Sequence, residues 1–322
     1  MSDLLGFTSI SLIFLLIIFI TIRWPAITKI LYVAFAVRVI FLLIGNYVID
    51  LPDSTADSVT FETRAWRLGQ EGFVNVLSNF PGPNARFISW LIAIPYSVLG
   101  HSILMAKSIS LFFGVGSVLL GWLLARRIWN NNIANKVGWT MALFPSLVLY
   151  SVIVMREAYM VFFLLIALFG VVSWLKTSSF KSIILAMTGF TGATFFHGGM
   201  SIGAMVFLAT VGASSLKRFF KLLLRFHINI KIISFLFLIF AASGYYLSNK
   251  INLPYLGSFE TSTNIEVLLQ KTQIATRGEA SWPQWTVISS PAEMLYKGPI
   301  RSIYLTFSPF PWDVNKLKHL IG

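Results

Sequence analysis

The chain has 322 residues, of which 56% are hydrophobic and only 11% charged, with a mean hydropathy of +0.77 and a formal net charge of +13. A soluble domain carries roughly a quarter charged residues, so this composition excludes a water-soluble globular protein and predicts a polytopic membrane protein. The absence of cysteine excludes disulfides and thiolate metal sites and leaves the redox compartment unread.

The first apolar run, at about 7–22, has no basic segment ahead of it. Arg23-Trp24-Pro25 follows it instead of a small-residue cleavage site, which predicts a retained span. A second span is expected over about 28–49, then a polar loop over 50–87. Residues 88–100 are too short to cross comfortably and are expected at the surface or dipping in. Further spans are expected at about 104–125, 137–155, 157–175, 182–197, 199–216 and 232–248. A second polar segment, about 249–297, is rich in Asn, Ser, Thr, Pro and Trp, and a last apolar piece, 299–310, runs into Pro309 and Pro311. The expectation is an all-α bundle of eight or nine crossings, with residues 1–322 forming a single integral membrane domain.

The basic residues sit in short loops between these spans: Arg23 and Lys29; Arg126, Arg127 and Lys136; Lys176 and Lys181; Lys217, Arg218, Lys221, Arg225 and Lys231. All twelve acidic residues lie elsewhere. This is the positive-inside pattern, which predicts that the basic loops face the cytoplasm and that 50–87 and 249–297 are outer loops. The net charge is then a topology signal and argues for no nucleic-acid partner. Binding of anionic membrane lipid by residues 217–231 is the alternative.

This topology gathers titratable groups at the outer face. Asp50, Asp53, Asp57, Glu62 and Glu71 lie in the first outer loop, Arg156, Glu157 and His197 at outer span ends, and Arg277 and Glu279 in the second loop. A transport path more often places polar groups near the midplane, whereas a catalytic site at the surface gathers them at one end. Within the first loop, Asp57, Phe61, Ala65, Leu68 and Gly72 are spaced as one helical face. A surface helix there would hold Asp57 at its N-terminal end, where the dipole favours an ionised carboxylate. Simple capping of that helix is the other reading of Asp57.

An ordered set of segments resembles the N-terminal half of the GT-C glycosyltransferases. The set is Arg38 inside an apolar span, DSVTFETRAWRLGQEG (57–72), YSVLG (96–100), LLARRIW (123–129) and FPSLVLYSVIVMRE (144–157). It covers roughly residues 30–175. GT-C enzymes are integral membrane proteins that take sugar from a polyprenyl-phosphate carrier on the non-cytoplasmic side. The better-known members continue for more spans, and many end in a soluble domain. The segment GEASWPQW…PIRSIYLTFSPFPWDV (278–314) looks like the tails of bacterial membrane proteins from surface-polysaccharide gene clusters. FKSIILAMTGFTGATFFHGG (180–199) is similar to a segment of O-antigen and capsule polymerases of the Wzy type.

The resemblance implies a GT-C-like fold in a bacterial inner membrane. It also implies a polyprenyl-linked sugar donor, a lipid-linked or glycan acceptor, and an extracytoplasmic active site. Carried over from the family, the catalytic base matches Asp57, with Asp53 second; a turn in Pro-Asp-Ser is the plainer reading of Asp53. A phosphate leaving group needs cations, and the planar fork of arginine suits it, which makes Arg156, Arg277 and Arg301 candidates. Glu157, on another side of the helix from Arg156, and His197, beside Gly198 and Gly199, are further candidates for substrate contact. Arg156 snorkelling and His197 as an interface residue are the alternatives. Trp282, with Trp285 and Trp312, offers a face for a sugar ring or simply an interface aromatic. Arg38 is expected to pair inside the bundle. No metal-ligand spacing is present and no cofactor is expected, save a loosely held divalent cation at Asp53 and Asp57. The alternatives to a glycosyltransferase are a Wzy-type polymerase and, outside enzymology, a flippase or transporter of lipid-linked sugars.

Overall fold

The computed structural model describes residues 2–55, 57–223 and 284–307, with positions 237, 241, 248 and 269. The described residues are helical, with no strand among them. The chain divides into two compact units, Met1–Phe207 and Leu208–Gly322.

The first unit is a bundle centred on α6 (Ile103–Ile128), which packs against α1 (Ser2–Arg23), α2 (Thr28–Tyr47), α7 (Asn131–Leu143) and α9 (Arg156–Thr177). Small residues on α6 let neighbours approach closely. A Cβ on Gly114 would fall 2.2 Å from the Ser151 Cβ, and one on Gly116 would fall 2.6 Å from the Phe162 ring. Helix α10 (Phe180–Phe196) pairs with α9 in the same way, through Gly170 against Ala186 and Gly189 against Ala167. Such close backbone approach drives packing where lipid supplies no hydrophobic force between helices.

Four described helices are long and apolar enough to cross a membrane: α1, α2 with its lead-in turn from Pro25, α6 and α9. They match the spans expected at 7–22, 28–49, 104–125 and 157–175. Helix α10 and the apolar part of α11 (Met200–Leu223), Met200–Ser214, fall short of the roughly 20 residues a span needs. The span expected at 232–248 lies outside the described residues.

The segment 137–155 is not one continuous helix. Helix α7 stops at Leu143, Phe144 is extended (φ −63°, ψ 120°), and α8 (Pro145–Leu149) restarts at the proline. Pro145 disfavours a helical residue before it and cannot donate an N–H to the Met141 carbonyl one turn back. Arg38 supplies the missing donors: its guanidinium reaches the carbonyls of Met141 (3.2 Å), Ala142 (2.9 Å) and Ala34 (3.1 Å). The mid-span arginine thus pairs inside the bundle, as expected, with backbone and not with a carboxylate.

At one end of the bundle α3 (Asp57–Gly69), α4 (Phe73–Ser78) and α5 (Phe87–Leu99) pack on one another. Helix α5 has 13 residues and stops at Gly100, whose φ of +92° suits glycine. Arg23, Arg126, Arg127 and Lys176 lie in the last turns of α1, α6 and α9, at the other end. The Lys176 ammonium there donates to the Arg127 carbonyl. In the described part of the first unit no acidic residue lies at that end, whereas the α3–α5 end carries both signs, with Arg64, Arg67 and Arg156 beside its carboxylates. In the second unit, α12 (Pro291–Phe307) starts eight residues ahead of the apolar piece expected at 299.

Candidate functional site

Two distant stretches of chain meet in register at the acidic end. The Tyr150 hydroxyl donates to Asp53 Oδ2 (3.0 Å), the Val154 N–H donates to Ser58 Oγ (3.1 Å), and the Arg156 guanidinium lies 5.6 Å from the Phe61 ring centroid. Residues 53–61 thereby run along residues 150–156. Val152, Ile153, Val154 and Met155 are buried between α8 and α9. The hydrogen bond to Ser58 satisfies one buried N–H of this non-helical stretch.

Helix α3 buries Ser58, Phe61, Ala65 and Gly69. The buried face is rotated by one residue from the expected one at each end. Asp57 is exposed and Ser58 buried, Leu68 is half-buried, and the helix ends at Gly69, before Gly72 (φ +88°). Packing on α5 explains the shift. Ser89 Oγ donates to the Phe61 carbonyl (2.9 Å), and a Cβ on Gly69 would lie 2.9 Å from the Tyr96 Cβ.

Asp57 is the first residue of α3, exposed at its positive end. Asp53 is exposed in a turn with φ +60°, a conformation Asp tolerates better than most residues. It is a turn residue and a hydrogen-bond acceptor at once. Burial, then the Asp53 carboxylate, pushes the Tyr150 phenol up to about 12. Tyr150 is therefore a standing donor at neutral pH. Glu157 adds a second negative charge near Tyr150. Among the described residues, two buried atoms at the start of α9, Arg156 Nε and Glu157 Oε2, have no hydrogen-bond partner.

A second polar group lies on the same helix. Glu62 Oε1 accepts from the Tyr96 hydroxyl (2.9 Å) and meets His101 Nε2 at 2.6 Å. The Trp66 ring covers His101 at 4.7 Å between centroids. Burial and the Glu62 carboxylate raise the Tyr96 phenol, which keeps it protonated. Lys107 Nζ binds the Gly45 carbonyl (3.2 Å) and Asn46 Oδ1 (3.0 Å), within electrostatic reach of Asp50 and Glu62. From the sequence Glu62 is one of five acidic residues in the expected outer loop, and His101 is not among the expected site residues. The available signals were the one-turn spacing of Glu62 and Trp66 and a histidine directly after Gly100.

The structure thus brings Asp53, Asp57, Arg156 and Glu157 to one neighbourhood. His197 caps the end of α10; it is exposed, and its Nδ1 accepts the Gly199 N–H (3.2 Å). Arg301 is buried on α12 of the second unit. Arg277 and Trp282 lie outside the described residues. Trp285 is exposed beside Tyr304, with 5.8 Å between ring centroids. Among the described residues no group of three or more His, Asp or Glu side chains is placed to hold a metal ion. No family model, curated protein or solved structure matches the chain.

A carboxylate at the start of a surface helix, a standing phenol donor and a half-buried arginine form a site of mixed charge. Such a site can accept a proton from a hydroxyl and contact an anionic group. Its position at the end of apolar helices suits a substrate with a lipid tail.

Proposed function

We propose that this chain is a membrane glycosyltransferase of the GT-C kind. It transfers sugar from a polyprenyl-phosphate-linked donor to a lipid-linked or glycan acceptor in bacterial surface-polysaccharide synthesis. The observation that supports it most is the register of 53–61 along 150–156, which puts two aspartates and an arginine at one end of a membrane bundle. In this reading Asp57 takes the proton of the acceptor hydroxyl as it attacks the anomeric carbon, worth roughly 10²–10⁴-fold. Tyr150 holds Asp53 in place, and Arg156 meets the phosphate that leaves. The acidic end faces the extracytoplasmic side of the inner membrane. The broken pair α7–α8, with α10, α11 and the residues beyond, completes eight or nine crossings.

The test is incubation of the purified chain with a polyprenyl-phosphate-linked sugar and a lipid-linked acceptor. Single additions are the expected product. A ladder of long products would assign a Wzy-type polymerase, and movement of the lipid-linked sugar between leaflets without a new bond would assign a flippase.

A further inference from the structure

We propose that a cavity at the basic end of the first unit binds the phosphate of an anionic lipid headgroup. The cavity has a volume of about 330 Å³. It is lined by Arg23 at the end of α1 and Trp24 just after it, Trp122 and Arg126 of α6, and Asn131 at the start of α7, among others. Among the described residues no carboxylate lines it. Among the described residues neither Arg23 nor Arg126 forms an ion pair. Two guanidinium groups bordering one space repel each other, and a bound anion turns that repulsion into attraction.

Three further features shape the cavity for phosphate. The Arg126 guanidinium lies 5.2 Å from the Trp122 ring centroid, which holds it over the indole face. The Trp122 N–H is committed to Asn135 Oδ1 (2.8 Å), which anchors that ring to α7. Asn130 caps α7 by accepting from the Ile133 N–H (3.0 Å), and the N–H groups of Asn131 and Asn132 precede the first helical hydrogen bond. They add a weak positive pole at the same place.

Position decides for a lipid. Helices α1 and α6 are both of spanning length, and Arg23 and Arg126 lie in their last turns, where a bilayer crossed by these helices would present its lipid phosphates. Basic residues at helix C-termini also complement the helix dipole. That role needs no shared cavity, and Arg127 fills it in the last turn of α6 without lining this one.

The test uses the full chain purified in neutral detergent, with binding read by native mass spectrometry. The probes are phosphatidylglycerol, phosphatidylcholine and inorganic phosphate. Phosphatidylglycerol should bind about tenfold more tightly than phosphatidylcholine, the ratio that 1.4 kcal/mol represents. Arg23→Gln and Arg126→Gln should each weaken it about fivefold, the effect of one basic residue at an anionic surface. Arg127→Gln and Lys181→Gln, at the same end but outside the cavity, should leave it unchanged. All four residues are exposed, and an unaltered thermal midpoint without lipid checks that the variants are folded. Equal losses in the two controls, or equal binding of the two lipids, would overturn the proposal. Cavity-dependent binding of inorganic phosphate with no preference for phosphatidylglycerol would overturn the lipid assignment in favour of a free phosphate.

Discussion

Glu62 and His101 meet at 2.6 Å, although 39 residues separate them in the chain. The Glu62 side chain is 14% exposed and that of His101 35%. The same carboxylate oxygen accepts from Tyr96, and Trp66 covers the imidazole. One carboxylate therefore ties α3 to α5 and to the turn that leads into α6. Glu62→Gln and His101→Gln should each lower the thermal midpoint in detergent. The double variant should lose less than the sum, with a coupling of about 0.5–3 kcal/mol. Additive losses would show that the two side chains are neighbours without an energetic link.

Arg38 and Pro145 form a similar pair in the middle of the bundle. The proline leaves the Met141 carbonyl without its helical donor, and the arginine replaces it. Arg38→Met should destabilise by about 1–3 kcal/mol or more, the usual cost of leaving a buried polar group unpaired. Pro145→Ala restores an N–H at the break. Combined with Arg38→Met it should recover part of the loss in thermal midpoint. No recovery would mean that Arg38 acts through other contacts than the break.

These two pairs mark what the sequence discloses and what it hides. The helix from Asp57 was legible because its polar and apolar positions repeat locally. The short α5 was legible from its length and from Gly100. The break at Phe144 carried a local signal in Pro145, but mean hydropathy across 137–155 outweighed it. Besides the local Ala34 carbonyl, the partners of Arg38 are two backbone carbonyls more than a hundred residues away, and no side-chain pattern announces such acceptors. Glu62 and His101 were hidden for the same reason. Periodicity reports which face of a helix is apolar and says nothing about which distant polar group will meet it.

Charge segregation predicts the orientation of the bundle. Ser78 is exposed at the end of α4, and Ser178 is exposed between α9 and α10. The chain has no cysteine, so single cysteines give no background. Ser78→Cys should react with an impermeant thiol reagent in intact cells, and Ser178→Cys should react only after permeabilisation. The opposite pattern would turn the acidic end to the cytoplasm and remove the extracytoplasmic site.

Arg156 starts α9 with its guanidinium near Phe61 and a buried Nε that has no partner among the described residues. A planar fork meets phosphate oxygens in pairs, whereas lysine offers a point charge. Arg156→Lys should therefore lose about tenfold or more in turnover of a polyprenyl-phosphate-linked donor, or about 1.4 kcal/mol of transition-state stabilisation. Protein level and thermal midpoint should stay near those of the parent. Full turnover in the lysine variant would leave Arg156 a charge that only snorkels to the surface.

Asp57 and Asp53 stand four residues apart and differ in their surroundings. Both are exposed, but Tyr150 holds Asp53 through a hydrogen bond, whereas Asp57 stands at the first residue of α3. A carboxylate oxygen already bonded to Tyr150 is less ready to take a proton, which favours Asp57 for proton transfer and Asp53 for shaping the turn. Asp57→Asn keeps the size and most of the capping ability, but it cannot take a proton. It should fold and bind the lipid-linked donor, and lose roughly 10²-fold or more in the rate of glycosyl transfer. Asp53→Asn and Tyr150→Phe should lose far less, because each removes one partner of a surface hydrogen bond. A large loss in Asp53→Asn with Asp57→Asn still active would move the base by one turn. Near-normal turnover in both aspartate variants would remove the carboxylate base from the mechanism.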